Sequence, residues 1–277
     1  MRGAIASHPL ALIGIGLAMV AGPVVAVEAV LGLMPDVGFL AVALADCVAA
    51  LAGYAVFVHW VERRRMVELG GRYGWLEAIG GLALGAGLFS LTFGSIWGLG
   101  GVVVDGRNPA PDLSYAVGIA VMAGVVEELA IRGVVFRLLE GWLGSWAALA
   151  LSAVLFGGLH LTNPGASLFV AVAIGLEAGV MLAAAFMVTR RLYLAIGLHI
   201  GWNFTQAGVF GVAVSGFEVG GWLQSRPVGP DWLSGGAFGA EASVLAVVWC
   251  VALGGALLAL AGRRGRIVRV GASGGDI

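Results

Sequence analysis

Long apolar stretches dominate the chain, and short clusters of Arg, Gly, Pro or acidic residues interrupt them at near-regular intervals. The runs fall at about 9–33, 38–60, 75–104, 113–139, 144–161, 167–189, 192–214 and 241–261. Most approach the ~20 residues that carry a helix across a bilayer. The pattern predicts an all-α fold, a polytopic transmembrane helical bundle of about eight spans. The third run is long and rich in glycine, which predicts a tilted or broken helix. The segment Ser215–Ala240 is too polar and too rich in Gly and Pro to span. Its Trp222 and Trp232 suit an interfacial loop or short surface helix over the outer mouth of the bundle.

Composition supports water's absence as the main solvent. Of 277 residues, 60% are hydrophobic and 11% charged, whereas a soluble domain carries about 25% charged residues. No separate soluble domain fits between the runs. By position, the chain divides into three N-terminal spans (1–112), a core of spans four to seven (113–214), and an outer loop, last span and basic tail (215–277). The first run follows a weakly charged start with Arg2 and His8 and exceeds the roughly 7–15 residues of a signal-peptide core, so it reads as a retained span.

Every basic residue is arginine, and arginines near span ends are retained on the cytoplasmic side. Arg63, Arg64, Arg65, Arg72, Arg137, Arg190, Arg191 and the tail from Arg263 to Arg269 all fall on one side if there are eight spans. Both termini are therefore expected to be cytoplasmic. The net charge of −1 and the lack of a basic, aromatic-interleaved stretch argue against nucleic acid as a partner. Cys47 and Cys250 stand far apart in apolar runs and read as packing residues.

Ionisable side chains at membrane depth are costly unless paired or solvated, which makes each a functional candidate. Glu127, Glu128 and Arg132 form a Glu-Glu-x-x-x-Arg pattern on the fourth run. Glu128 and Arg132 share a helix face at i,i+4, while Glu127 points ~100° away. One carboxylate is then neutralised and the other left available as a base; alternatively, all three form an ion-pair network clamping helices. Phe156 and His160 share a face on the fifth run, just before Asn163-Pro164, where the histidine either serves chemistry or bonds to backbone near a helix end. His199 and Asn203 share a face on the seventh, as a site pair or as an interhelical hydrogen-bonding pair. Counting a helical rise from the cytoplasmic ends puts Glu127 at ~18 Å, His160 at ~21 Å and His199 at ~12 Å, a spread that only a tilt or a later start of the fifth helix would level. Glu177, mid-run on the sixth, is a lesser candidate for lining the cavity. Glu28, Asp46 and His59 read as structural or interfacial.

The three motifs resemble those of the CPBP family, the type II CAAX prenyl endopeptidases and bacteriocin-processing (Abi) intramembrane proteases. The family carries Glu-Glu-x-x-x-Arg, Phe-x-x-x-His and His-x-x-x-Asn/Asp in this order on three core helices, and the similarity covers about 114–210 here. The resemblance implies an intramembrane endopeptidase acting on a membrane-anchored protein or peptide. It implies that Glu127 and His160 activate water and that His199 and Asn203 stabilise the oxyanion, while Glu128, paired with Arg132 at i,i+4, would brace the site. It leaves open a zinc or other divalent metal on Glu127, His160 and His199, or a metal-free glutamate mechanism. Spacing does not choose between these, because the candidate ligands come from three helices. An arginine-only, Gly- and Ala-rich sequence points to a bacterial cell membrane. The competing readings are a proton-coupled transporter using the same Glu and His residues, and a noncatalytic immunity or scaffold protein. Oligomeric state is not legible in the sequence.

Overall fold

The computed structural model describes residues 8–34 and 36–270; Arg2, part of the charged start noted above, lies outside them. The fold is mostly helical. The principal helices are α1 (Pro9–Leu31), α2 (Phe39–Glu62), α3 (Gly74–Gly98), α4 (113–143), α5 (145–159), α6 (Leu168–Thr189), α7 (193–209) and α8 (Val244–Arg263). Five of them, α1, α2, α3, α6 and α8, are long and apolar enough to cross a membrane. The other three differ for identifiable reasons. α4 carries Glu127, Glu128, Arg132, Arg137 and Glu140 along its length, and α5 and α7 are shorter than a full span's ~20 residues.

Local sequence sets the helix boundaries. Ser167 caps α6 and Ser243 caps α8, each accepting a backbone N–H from its helix's first turn. Asp112 does the same for α4; the Tyr115 N–H and the Ser114 hydroxyl hold its carboxyl below the usual carboxylate range. α4 and α5 follow one another without an intervening loop, because Gly144 turns the chain at φ 78°, ψ 167°. The sequence pattern places a connection there, at 140–143; those residues instead complete α4.

Two further expectations need correction. α3 is an unbroken helix that stops at Gly98, and Val102–Arg107 form a strand, β1, rather than its continuation. The polar segment after α7 holds a second strand, β2 (Leu223–Pro227), antiparallel to β1. A single helical turn, Asp231–Ser234, follows it. Trp222 and Trp232 are both exposed on this cap. Arg226 pairs with Asp105 across the ribbon at 2.9 Å. Arg107 lies on the same ribbon, over the Trp222 ring, whereas a second group of arginines gathers at the opposite end of the bundle. Arg64 and Arg137 share Glu62 and Glu68, Arg191 pairs with Glu77, and Arg190 with Glu140.

The glycines of α3 have a packing role. Gly81 and Gly85 face Gly197 and Gly201 of α7 so closely that a Cβ on any of the four would lie 2.1–2.5 Å from a carbonyl oxygen of the facing helix. Small residues four apart are how helices approach in lipid, where van der Waals contact rather than water exclusion drives association. This seam fixes α7, and with it His199 and Asn203. A similar contact holds α5 to α6, where a Cβ on Gly157 would meet the Ala171 carbonyl at 2.1 Å. Gly201→Ala is expected to cost about 1–3 kcal/mol through forced separation of the helices. Gly87→Ala, on the open face of α3 with nothing within 4 Å, is expected to be neutral or slightly stabilising. Thermal unfolding of both variants in detergent checks the contrast.

Candidate active site

Two of the four helices that build the site, α4 and α6, locally leave α-helical geometry where they carry it, and α7 does so just after Asn203. π turns cover Ala123–Glu127 and Leu129–Phe136 in α4, Gly175–Gly179 in α6 and Thr205–Val209 in α7. Such turns redirect side chains and free carbonyls from the i→i−4 ladder. The carbonyls of Ala178 and Gly179 are used in this way: both accept from Arg132 Nη2, at 2.8 and 3.1 Å.

Arg132 and Glu128 are completely buried and paired at 2.7 Å. The same Glu128 oxygen, Oε1, receives His199 Nδ1 at 3.1 Å. Glu128 therefore joins α4 to α7, and Arg132 joins α4 to α6. The Arg132 guanidinium also lies 4.7 Å from the centre of the Phe156 ring, a cation–π contact onto α5. Phe156 stands 4.8 Å from the His160 ring and 6.3 Å from the His199 ring. All three motifs therefore meet around one aromatic side chain.

Glu127 points away from the buried pair, as its helical phase requires. Its side chain is 37% exposed, and its Oε2 lies 4.0 Å from His199 Nε2. The carboxylate lines a cleft of about 210 Å³ between α4 and α5 that also includes Ala130, Leu159 and His160. Behind it is a smaller chamber of about 30 Å³, enough for a water molecule. His160, His199 and Asn203 line that chamber, together with Glu177 and Glu241. His160 and Phe156 line both spaces, so the four chemistry-bearing side chains stand in two adjoining compartments rather than around a single gap. The large depth differences obtained by counting rise do not persist, since Glu127, Phe156 and His199 are direct neighbours.

Hydrogen bonds fix the histidine tautomers. His160 Nδ1 lies 2.8 Å from the Phe156 carbonyl, which only accepts, so Nδ1 carries the hydrogen and Nε2 of the neutral ring is an acceptor. His199 Nδ1 donates to Glu128 in the same way. Its Nε2 donates only when the ring is protonated.

Glu177, a lesser candidate from sequence, is buried in the chamber wall with Oε2 unpartnered among the described residues. Glu241 was not identifiable as a site residue because it opens an apolar run, where a carboxylate reads as interfacial. The turn before α8 instead buries it, and Ser215 donates to it from both its backbone N–H and its hydroxyl. The chamber therefore draws residues from beyond 113–214. Glu28 and His59 are exposed and Asp46 is buried on α2; none lines either space. Among the described residues, no three His, Cys, Asp or Glu side chains are grouped so as to hold a metal ion. Glu127, His160 and His199 are not among such a group.

The Glu128–Arg132 pair makes a stability prediction. Arg132→Met leaves a carboxylate buried without its partner and is expected to cost about 3–5 kcal/mol. Adding Glu128→Gln should restore part of the loss. A double-mutant cycle read by unfolding in detergent measures the coupling.

Comparison with known proteins bears on the same elements. Residues 109–205 match the family model described as Type II CAAX prenyl endopeptidase Rce1-like. No curated protein and no solved structure matches the chain. The matched segment contains Glu127, Glu128, Arg132, His160, His199 and Asn203 and stops short of Glu241. Residues 109–205 thus carry the Rce1-like pattern that the three motifs resemble.

Proposed function

We propose that the protein is an intramembrane endopeptidase that hydrolyses a peptide bond in a membrane-associated protein or peptide. The observation that carries this reading is the Glu127 side chain, 37% exposed beside an open cleft, whose buried and unpartnered Oε2 lies 4.0 Å from a histidine whose other nitrogen is fixed by a buried, arginine-paired carboxylate. The Rce1-like match over the same helices points to a CAAX-type intramembrane protease.

In this mechanism Glu127 takes a proton from a water molecule, with the bare Nε2 of His160 orienting that water from the adjoining wall. The resulting hydroxide adds to the scissile carbonyl carbon, and charge develops on its oxygen. The Asn203 amide, and His199 in its protonated form, donate to that oxyanion. Collapse breaks the C–N bond as Glu127 returns its proton to the leaving nitrogen. Glu128 and Arg132 hold the imidazole and the backbone of α6 in place and do not touch the substrate.

The wider arrangement proposed here has all eight helices crossing the bilayer, with both termini on the arginine-rich, cytoplasmic side of a bacterial cell membrane. Residues 113–214 supply most of the catalytic groups, 1–112 support them, and 215–277 close the outer mouth. A proton-coupled transporter would use the same acids, but the cleft's position beside Glu127 and the protease-family pattern favour hydrolysis.

Glu127→Ala and His160→Ala should each lower cleavage of a membrane-anchored reporter peptide by at least about 10²-fold, within the range general acid–base groups supply, while the proteins insert and melt like the wild type. Retained cleavage in both variants refutes the assignment. Proton-coupled uptake into proteoliposomes without cleavage supports the transporter instead. On the metal-free glutamate mechanism, dialysis against a chelator should leave cleavage unchanged. Loss that zinc alone restores would contradict that expectation.

A further inference from the structure

At the end of the bundle opposite the β-ribbon, where α1 begins and α2, α4, α6 and α8 end, a cavity of about 810 Å³ opens outward. Five guanidinium side chains line it: Arg64, Arg65, Arg137, Arg190 and Arg266. Three carboxylates answer them. Glu62 and Glu68 bridge Arg64 and Arg137, and Glu140 pairs with Arg190. Arg65 and Arg266 are exposed and have no ion-pair partner among the described residues. The cavity therefore holds an excess of two positive charges.

Its other wall is apolar. Pro9 and Leu12 of α1 and Leu138 and Trp142 of α4 line it, and Trp142 is 41% exposed. Above this wall α1 packs Ile13, Leu17, Met19 and Val24 against the core around the buried Gly16 and Val20, and leaves Leu10, Ile15, Val25 and Val30 exposed on its outer face. Span ends lie at headgroup level, where tryptophan and arginine settle. A cationic floor beside an apolar wall that continues along a lipid-facing helix has the outline of one ligand class. Guanidinium groups bind phosphate oxygens bidentately, and acyl chains would extend along α1. A free anion would satisfy the charge but not the wall, and a zwitterionic lipid brings its own cation.

We propose that this cleft binds one anionic phospholipid, with its phosphate between Arg65 and Arg266 and its chains against α1. The binding is independent of the proteolytic reading and tethers the tail after α8 to the bundle, where Arg190 already donates to the Arg266 carbonyl and Ser145 exchanges hydrogen bonds with Val268.

Native mass spectrometry of the full chain in detergent, titrated with phosphatidylglycerol, phosphatidylcholine and inorganic phosphate, tests the proposal. One phosphatidylglycerol should be retained per chain, phosphatidylcholine should not be retained at equal concentration, and excess phosphate should not displace the lipid. The double substitution Arg65→Gln/Arg266→Gln should weaken phosphatidylglycerol binding about thirtyfold, the sum of two interfacial arginines' worth of attraction. Arg72→Gln, an exposed arginine outside the cleft, should leave it unchanged. Trp142→Ala, which removes apolar wall and no charge, provides a second arm if the double variant fails to accumulate, and should also weaken retention. Equal retention of both lipids, displacement by phosphate, or unchanged affinity in the double variant and in Trp142→Ala would overturn the proposal.

Discussion

The Glu128–Arg132 pair is the constraint on which the rest depends. A carboxylate and a guanidinium with no solvent contact are costly inside an apolar bundle, and further polar contacts offset that cost for Glu128 Oε1 and both terminal nitrogens of Arg132, while Glu128 Oε2 and Arg132 Nε have no partner among the described residues. Arg132 reaches two carbonyls of α6 and the face of Phe156, and Glu128 reaches His199. Each contact belongs to a different helix. Satisfying one buried ion pair therefore specifies how α4, α5, α6 and α7 must lie, and it leaves the adjacent Glu127 as the one carboxylate of the motif facing an open cleft.

The bundle's close packing makes those contacts reachable. Where α3 and α7 cross, four glycines let backbone meet backbone, and where α5 and α6 cross Gly157 does the same. The short α7 and α5 gain their place from these seams and not from their own hydropathy. The π turns then adjust the phase of the site residues within otherwise regular helices. Stability and chemistry are linked here in a specific way: the same geometry that satisfies buried polar groups aims His199 at Glu127.

Much of this was legible in the sequence. The apolar runs located all eight principal helices, though they overran the ends of α3 and α7, and i,i+4 spacing paired Glu128 with Arg132 and separated Glu127 from both. The β-ribbon was not legible, because Val102-Val103-Val104 continues an apolar run and a short apolar stretch does not declare whether it is strand or helix. The partners of Gly81 and Gly85 were hidden because they lie over a hundred residues away. Glu241 was hidden for a related reason: only the folded cap, through Ser215, turns a carboxylate at the edge of a span into a buried chamber residue. The adjoining cleft and chamber also depend on how the two histidine rings sit around Phe156, which spacing alone does not determine.

The central claim is that side chains from α4, α5 and α7 act on one solvent molecule. An experimental density map of the protein in lipid, at a resolution that shows ordered water, tests it most directly. The account predicts a water within hydrogen-bonding reach of the Glu127 carboxylate and at least one of the His160 and His199 imidazoles. A map in which Glu127 and both imidazoles face separate compartments with no shared water would contradict it.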